Sequence, residues 1–337
     1  MQEDNRMTKK ANIKDILINN GIIILMIIMA IYVSITEPTF LTPNNLTNIL
    51  INMAPRVIIA LGVSGCLITK GTDLSAGRIV GLSACIAGTL LQRADYSGKV
   101  YPNLGEMNIF IVLLICIAIC AVFGLINGLV ISYLNVPPFI GTLGMQLIVY
   151  GICLVYTNAT PLGGYKSDYT AIATGSLIGN FRLTNYLIII ALIIGIFMYF
   201  LYNHTCHGKY MYAIGGNENA AEVSGVNVKR TKVIIYTLAA AMYAIAGYLL
   251  GAKAGGASVN LGQSYELDAI AACTIGGVSV NGGIGKISSV VIGVAVFELL
   301  KSCLQFLGVD TNAQYIAQGI VIVTAIALDI RKYVAKK

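Results

Sequence analysis

Residues 108–132 read NIFIVLLICIAICAVFGLINGLVIS and contain no charged side chain. A stretch of about 20 predominantly apolar residues is long enough to cross the hydrocarbon core of a bilayer as an α-helix. Backbone groups have no water partner there, so a conformation that satisfies them internally is required. The stretch therefore predicts a transmembrane helix and an integral membrane protein.

The composition of the whole chain agrees with this interpretation. Of 337 residues, 57% are hydrophobic and only 11% are charged, whereas soluble domains carry about 25% charged residues. These values exclude an ordinary soluble globule and a disordered chain. The net charge is +7, but the basic residues lie mostly in loops and tails. This distribution indicates membrane orientation rather than nucleic-acid binding.

Similar apolar stretches recur and predict an all-α membrane protein with about ten transmembrane helices, the third and eighth of them short or broken. We expect spans at 16–36, 50–69, 78–92, 108–132, 139–157, 186–202, 231–251, 266–280, 287–307 and 312–329. The first exceeds the apolar core of a cleavable signal peptide, so we expect it to be retained.

The basic residues predict the orientation of the chain. Ten spans place both termini on one side, and the tails 1–15 and 330–337 are rich in Lys and Arg, so both are expected in the cytoplasm. Residues 16–329 would then form one transmembrane domain with its longest cytoplasmic loop at 203–230 and its longest external loop at 158–185. Neither loop reaches the roughly 50 residues of a domain. If ATP powers this protein, another chain must supply the ATPase.

The cytoplasmic loop contains a short sequence with helix-capping residues at both ends. Asn217 is a favoured N-cap, Glu218 suits the first turn, and Gly225 suits the left-handed position that ends a helix. The residues between them include a small face, formed by Ala220, Ala221 and Ser224. Such a face allows close approach by another protein. The spacing leaves a docking helix and an ordinary loop helix equally open.

Two acidic segments lie beside the short spans. Asp73 or Ser75 could cap the third span, or the flanking glycines could allow a broken helix that lines a pathway for a polar solute. Glu266 and Asp268 open the eighth span, where they could bind a positive partner or lie at the outer interface.

Other polar residues within spans are few. They are Arg56, Asn127, Gln146, Glu298 and Lys301. Intramembrane polar groups are functional candidates by default, and Glu298 and Lys301 have the spacing to neutralise each other on one helix. The candidate pathway residues are Asp73, Ser75, Asn127, Gln146, Glu266 and Asp268. Since they do not form a continuous chain of acids and histidines, we expect a neutral solute rather than a proton-driven pump.

Two apparent sites lack the residues or the spacing that their chemistry needs. The glycine-rich run 281–287 lacks both the first glycine and the hydroxyl of a phosphate-binding loop, which would stand where Val280 and Ile287 lie. His204, Cys206 and His207 are too crowded for a metal site. We expect no metal, no catalytic residue and no cofactor bound by this chain; the cysteines lie mostly within apolar stretches and act as small apolar residues.

Over residues 16–333 the chain resembles the membrane permeases of ATP-binding-cassette sugar importers, the group of ribose and galactose permeases. The shared motifs are GTDLSAG at 71–77, GLING at 124–128, PFI at 138–140 with TLG at 142–144, the loop 214–225, and the segment from ELD at 266–268 to the glycines at 282–283. Details at 72–78, 224–228 and 266–273 are most similar to the galactose/methyl-galactoside branch, whereas 158–185 does not match clearly.

The resemblance implies a permease homodimer in a bacterial cytoplasmic membrane. Two cytoplasmic ATP-binding-cassette subunits would hydrolyse ATP, and an external sugar-binding protein would deliver galactose, methyl galactoside or glucose. The docking hypothesis gains support, with the coupling residues Gly215, Gly216, Asn217, Glu218, Ala220, Ala221, Ser224 and Gly225. Another sugar such as ribose, xylose or a sugar-like signal is the main alternative, followed by an ion-coupled secondary transporter and a passive channel.

Overall fold

A computed structural model describes residues 21–179 and 181–334, which form thirteen α-helices and one short 3₁₀ turn. The helices are α1 Gly21–Thr36, α2 Pro43–Ile68, α3 Ala76–Leu90, α4 Ile109–Tyr133, α5 Pro138–Thr157, α6 Ser167–Thr174, α7 Tyr186–His204, α8 Cys206–Gly216, α9 Glu218–Val223, α10 Val228–Ala254, α11 Tyr265–Ile275, α12 Ile287–Phe306 and α13 Thr311–Val334. The tail 1–15, the start of the first predicted span and residues 335–337 lie outside the described residues.

Among the described helices, seven are long and apolar enough to cross a membrane. They are α2, α4, α5, α7, α10, α12 and α13. Helices α1 and α3 are apolar but shorter, and α11 has only 11 residues. Each predicted span coincides with one of these ten helices, so the all-α, multi-span class is confirmed.

Helix α10 lies at the centre of the bundle and packs against α2, α3 and α4. Its contact with α4 depends on two glycines of the GLING motif. A methyl group on Gly124 would lie 2.4 Å from Tyr236 O, and one on Gly128 would lie 2.6 Å from Val233 Cα. Small residues one helical turn apart allow two membrane helices to approach closely, and here they fix the α4–α10 contact.

Two segments interrupt the helices inside the protein. Residues 69–75 separate α2 from α3, and residues 255–264 fold back between α10 and α11. The N-terminal ends of α3 and α11 meet there, because a methyl group on Gly77 would lie 2.3 Å from Gly262 O. The chain adopts left-handed backbone conformations at Lys70, Gly262 and Ser264, where it turns sharply. The structure therefore contains the expected break at 69–75, and its role in lining a solute pathway stays a prediction.

Candidate functional site

The loop between α7 and α10 contains the helix predicted from its capping residues. The side chain of Asn217 accepts a hydrogen bond from Ala220 N at 3.0 Å and caps α9. Glu218 lies in the first turn and pairs with Lys232 at the start of α10, at 2.7 Å. The N-cap and the acidic first turn are therefore confirmed, and the ion pair ties α9 to α10.

The other end of α9 is closed by two backbone hydrogen bonds. Gly225 N donates to Glu222 O at 2.9 Å and Val226 N donates to Ala221 O at 3.0 Å. Gly225 has a φ of +87°, so the arrangement is a Schellman motif. The predicted stop signal is confirmed at the residue expected.

The exposed surface of α9 differs from the predicted small-residue face. Ala221 is buried and packs with Ile214 and Val228 in a small apolar cluster. Its side chain therefore cannot form part of a docking face, because it fixes α9 onto its own loop. Val223, which the spacing did not single out, is 90% exposed. Of the residues predicted to couple to an ATPase, the exposed ones are Gly216, Asn217, Glu218, Ala220, Ser224 and Gly225.

Gly215 forms the junction between this loop and the membrane helices. A methyl group on it would lie 1.8 Å from Ile68 O, at the end of α2, and 2.4 Å from Gly283 N. Gly283 N itself donates to Ile68 O at 2.8 Å, and Tyr212 Oη donates to Gly285 O at 2.9 Å. Helix α8 is thus in direct contact with α2 and with the segment 276–286. We call this junction, with α8 and α9, the coupling face.

Three of the predicted pathway residues form one hydrogen-bonded chain. Ser75 Oγ donates to Asp73 Oδ1 at 2.6 Å, and Asn127 Nδ2 donates to Ser75 Oγ at 3.0 Å. All three residues are buried. Ser75 occupies the N-cap position without a side-chain cap, whereas Asp73 Oδ1 accepts a hydrogen bond from Ser75 N at 3.0 Å. Of the two expected caps, the Asp73 carboxylate is therefore the one that binds a backbone N–H at the start of α3. The side chains connect the break between α2 and α3 to α4.

Glu266 joins this region, whereas Gln146 does not. A methyl group on Gly77 would lie 2.1 Å from Glu266 Oε2, so Glu266 lies against the start of α3, close to Asp73 and Ser75. It is only 5% exposed, so its side chain is buried within the protein. Gln146 is half-buried on α5 and is not part of the described hydrogen-bonded chain.

Asp268 lies in a separate ionic network. Its Oδ2 accepts from Arg56 Nη1 at 3.1 Å and from Lys301 Nζ at 2.5 Å, and Glu298 Oε2 lies 3.0 Å from Arg56 Nε. The expected pairing of Glu298 with Lys301 is therefore wrong. The planar guanidinium of Arg56 presents several donors and reaches both carboxylates, so the charges pair across α2, α11 and α12. We call these four residues the ionic network.

A row of polar residues on α2 was not predicted from the sequence. The predicted second span began at residue 50, but α2 begins at Pro43, with the side chain of Thr42 as its N-cap. Asn45, Asn48 and Asn52 therefore lie on one helical face and line a cavity of about 600 Å³. Their i, i+3, i+7 spacing was the available signal. Across residues 21–179 and 181–334, no three His, Cys, Asp or Glu side chains cluster as a metal site requires.

Broken helices, buried polar groups and at least seven possible spans define a multi-span membrane transport protein. Residues 45–326 match the family described as branched-chain amino acid transport system / permease component, and the chain belongs to this family. This result confirms the resemblance drawn from the motifs.

Relatives named as sugar permeases match nearly the whole chain. The galactose/methyl galactoside import permease MglC of Escherichia coli K12 is 48% identical over 94% of this chain and 95% of its own length. MglC of Haemophilus influenzae is 45% identical, covering 96% and 97%. The ribose import permease RbsC of Bacillus subtilis is 37% identical, covering 91% of each. No solved structure matches the chain.

Proposed function

We propose that this chain is the membrane-spanning permease subunit of an ATP-driven importer for galactose or methyl galactoside, with glucose as a further substrate. The higher identity to the galactose/methyl galactoside permeases than to the ribose permease supports this substrate over ribose. In this proposal the chain carries no ATPase site of its own. A separate cytoplasmic ATP-binding-cassette subunit binds and hydrolyses ATP, and an external binding protein delivers the sugar.

The coupling face is the observation that carries this proposal. Helix α9 is capped at both ends and presents an exposed surface, while Gly215 connects its loop to α2 and to the segment 276–286. Docking of an ATPase on α9 would therefore move the end of α2 and the segment 276–286, which joins α11 to α12. Those helices and α2 carry the ionic network, so motion at the coupling face reaches charged groups inside the membrane.

The proposed orientation has ten crossings, both termini in the cytoplasm, and the coupling face on the cytoplasmic side of a bacterial inner membrane. The loop 203–230 contacts two helices at the ends that this orientation places in the cytoplasm. Gly215 contacts the end of α2, and Glu218 contacts the start of α10. The basic residues Lys209 and Arg230 lie on the same side, as the positive-inside rule requires. A homodimer completes the proposed pore.

We place the sugar pathway along α11. This helix carries Glu266 toward the break at Asp73 and Asp268 toward the ionic network. Ser75 and Asn127 belong to the first group through their hydrogen bonds. Of the six candidate residues, Gln146 has the least support, because it lies apart from both groups.

Reconstitution into proteoliposomes tests the proposal. The chain would be combined with its candidate ATPase, with ATP inside and a galactose-binding protein outside, and each component would be omitted in turn. Uptake of labelled galactose that requires all components supports the proposal. Uptake by the chain alone would instead establish a secondary carrier or a channel. Uptake of labelled ribose but not galactose would change the substrate and keep the mechanism.

A further inference from the structure

A polar cavity lies on the side of the protein away from the coupling face. Its volume is about 600 Å³, and Asn48 and Asn52 of α2 help to line it. Helix α2 ends at Ile68 on the coupling face. A rise of 1.5 Å per residue places Asn48 about 30 Å from that end. The cavity and the coupling face therefore lie near opposite ends of one helix.

Two helices face each other across this cavity with polar rows. The row on α2 consists of Asn45, Asn48 and Asn52, and the row on α12 consists of Glu298, Lys301, Ser302 and Gln305. On each helix the spacing of three, four and seven residues places the side chains on one face. Polar residues in spanning helices are costly unless they face the protein interior or a water-filled cavity. Two opposed rows indicate a hydrated cavity that is built into the bundle.

Two cationic side chains on a third side of the cavity orient the asparagine side chains. Arg182 Nη2 donates to Asn48 Oδ1 at 2.7 Å, and the ammonium of Lys253 donates to Asn52 Oδ1. Each amide oxygen therefore already accepts from a cation, so the Nδ2 hydrogens of both amides can donate elsewhere. Glu298 and the hydroxyl of Ser302 add acceptors on the facing helix. The lining of the cavity thus offers both hydrogen-bond donors and acceptors.

We infer that this cavity is the receiving site for a neutral hexopyranose released on the side opposite the coupling face. This inference rests on the proposed function and assigns a binding site to it. Small-molecule sites have volumes of about 300–1,000 Å³, and each sugar hydroxyl both donates and accepts hydrogen bonds, as the lining requires. Since Glu298 and Lys301 also belong to the ionic network, the sugar would contact the helices that the coupling face reaches.

Cysteine protection tests the site directly. Ser302→Cys would be made in a Cys206→Ser background, because Cys206 is the exposed native cysteine of the described residues and the others there are buried. A membrane-impermeant thiol reagent is added to the proteoliposomes with and without galactose. We expect Ser302→Cys to be labelled, and galactose to slow the labelling. Asn44→Cys, exposed on α2 but not among the residues lining the cavity, is the control and should be labelled equally with and without sugar.

The outcomes distinguish a failure of the proposed binding site from a failure of the proposed function. Unprotected or unlabelled Ser302→Cys in vesicles that still import galactose would overturn the site and leave the proposed function standing. Protection by galacturonate but not by galactose would overturn the choice of a neutral sugar. As a second measurement, Asn52→Leu should raise the KM for uptake about tenfold, the upper effect of one hydrogen bond. Asn44→Leu should leave the KM unchanged, and equal values for the two variants would also contradict the inference.

Discussion

Gly215 and Gly216 are adjacent glycines that allow the coupling junction to be tested with a matched pair of variants. A methyl group on Gly215 would lie 1.8 Å from Ile68 O and 2.4 Å from Gly283 N, whereas nothing lies within 4 Å of the same position on Gly216. The crowded atoms belong to the backbone and cannot rotate away. Gly215→Ala must therefore separate α8 from the end of α2, and Gly216→Ala leaves the junction intact.

The size of the effect follows from this geometry. Non-bonded heavy atoms prefer separations of about 3.5 Å, so the two segments must move apart by roughly 1.5 Å. Overpacking of this kind costs about 1–3 kcal/mol, and a coupling free energy of that size corresponds to about a 5–150-fold change in an equilibrium. Replacing glycine by alanine in a helix also changes propensity by about 0.5–1 kcal/mol. Both glycines lie at the end of α8, so the control variant carries that effect too.

The assay compares galactose uptake and ATP hydrolysis in proteoliposomes holding the complete system. We expect Gly215→Ala to lower uptake at least about fivefold while the partner ATPase continues to hydrolyse ATP. Gly216→Ala should transport at the rate of the unmodified protein. Thermal unfolding of both variants in detergent shows whether the loss is local. Equal uptake by the two variants, with both folded, would refute the role of the junction.

Three further predictions concern the rest of the molecule. Val223→Asp should weaken co-purification of the partner ATPase because a charge replaces the exposed apolar side chain of α9, whereas the control Asn219→Asp should not; equal retention would contradict docking on this face. Glu298→Gln should destabilise the protein by about 1–3 kcal/mol because it removes one of the two carboxylates that Arg56 binds and leaves an excess positive charge in the ionic network, and Arg56→Met in addition should recover part of that loss in thermal unfolding. Burial lowers the pKa of His207, so the folded state prefers the neutral ring and stability should fall as the pH drops below about 6.5; His207→Gln should flatten that dependence, and an unchanged slope would exclude His207 as its cause.

Local spacing predicted those features that local chemistry determines. The ends of α9 were predicted to the residue because Asn217 and Gly225 each satisfy backbone groups within a few positions of themselves. The long apolar stretches predicted the helices for the same reason, since an α-helix closes its hydrogen bonds within the segment. The break at Asp73 was only one of two open alternatives, because the contact that fixes it comes from Gly262, far along the chain.

Contacts between segments that are distant in the chain could not be predicted from local spacing. The spacing of Glu298 and Lys301 suggested a pair within one helix, but the guanidinium of Arg56 reaches Glu298 and Asp268 together. The inward direction of Ala221 likewise depends on Val228 and Ile214, which form its apolar cluster. The side chains that pair across the bundle depend on how the helices pack, and this packing cannot be predicted from a single sequence.

Helix α2 connects the coupling face to the polar cavity. It contacts the coupling face through Ile68 and lines the polar cavity through Asn48. Pro55 lies within this continuous helix between these points. It weakens the helix locally, because proline has no N–H to donate to Ile51 O. The weak point lies directly before Arg56, which holds the ionic network to α11 and α12. A displacement of the Ile68 end would therefore bend α2 next to Arg56 and change the distances within the network, before it could reach the asparagines of the cavity.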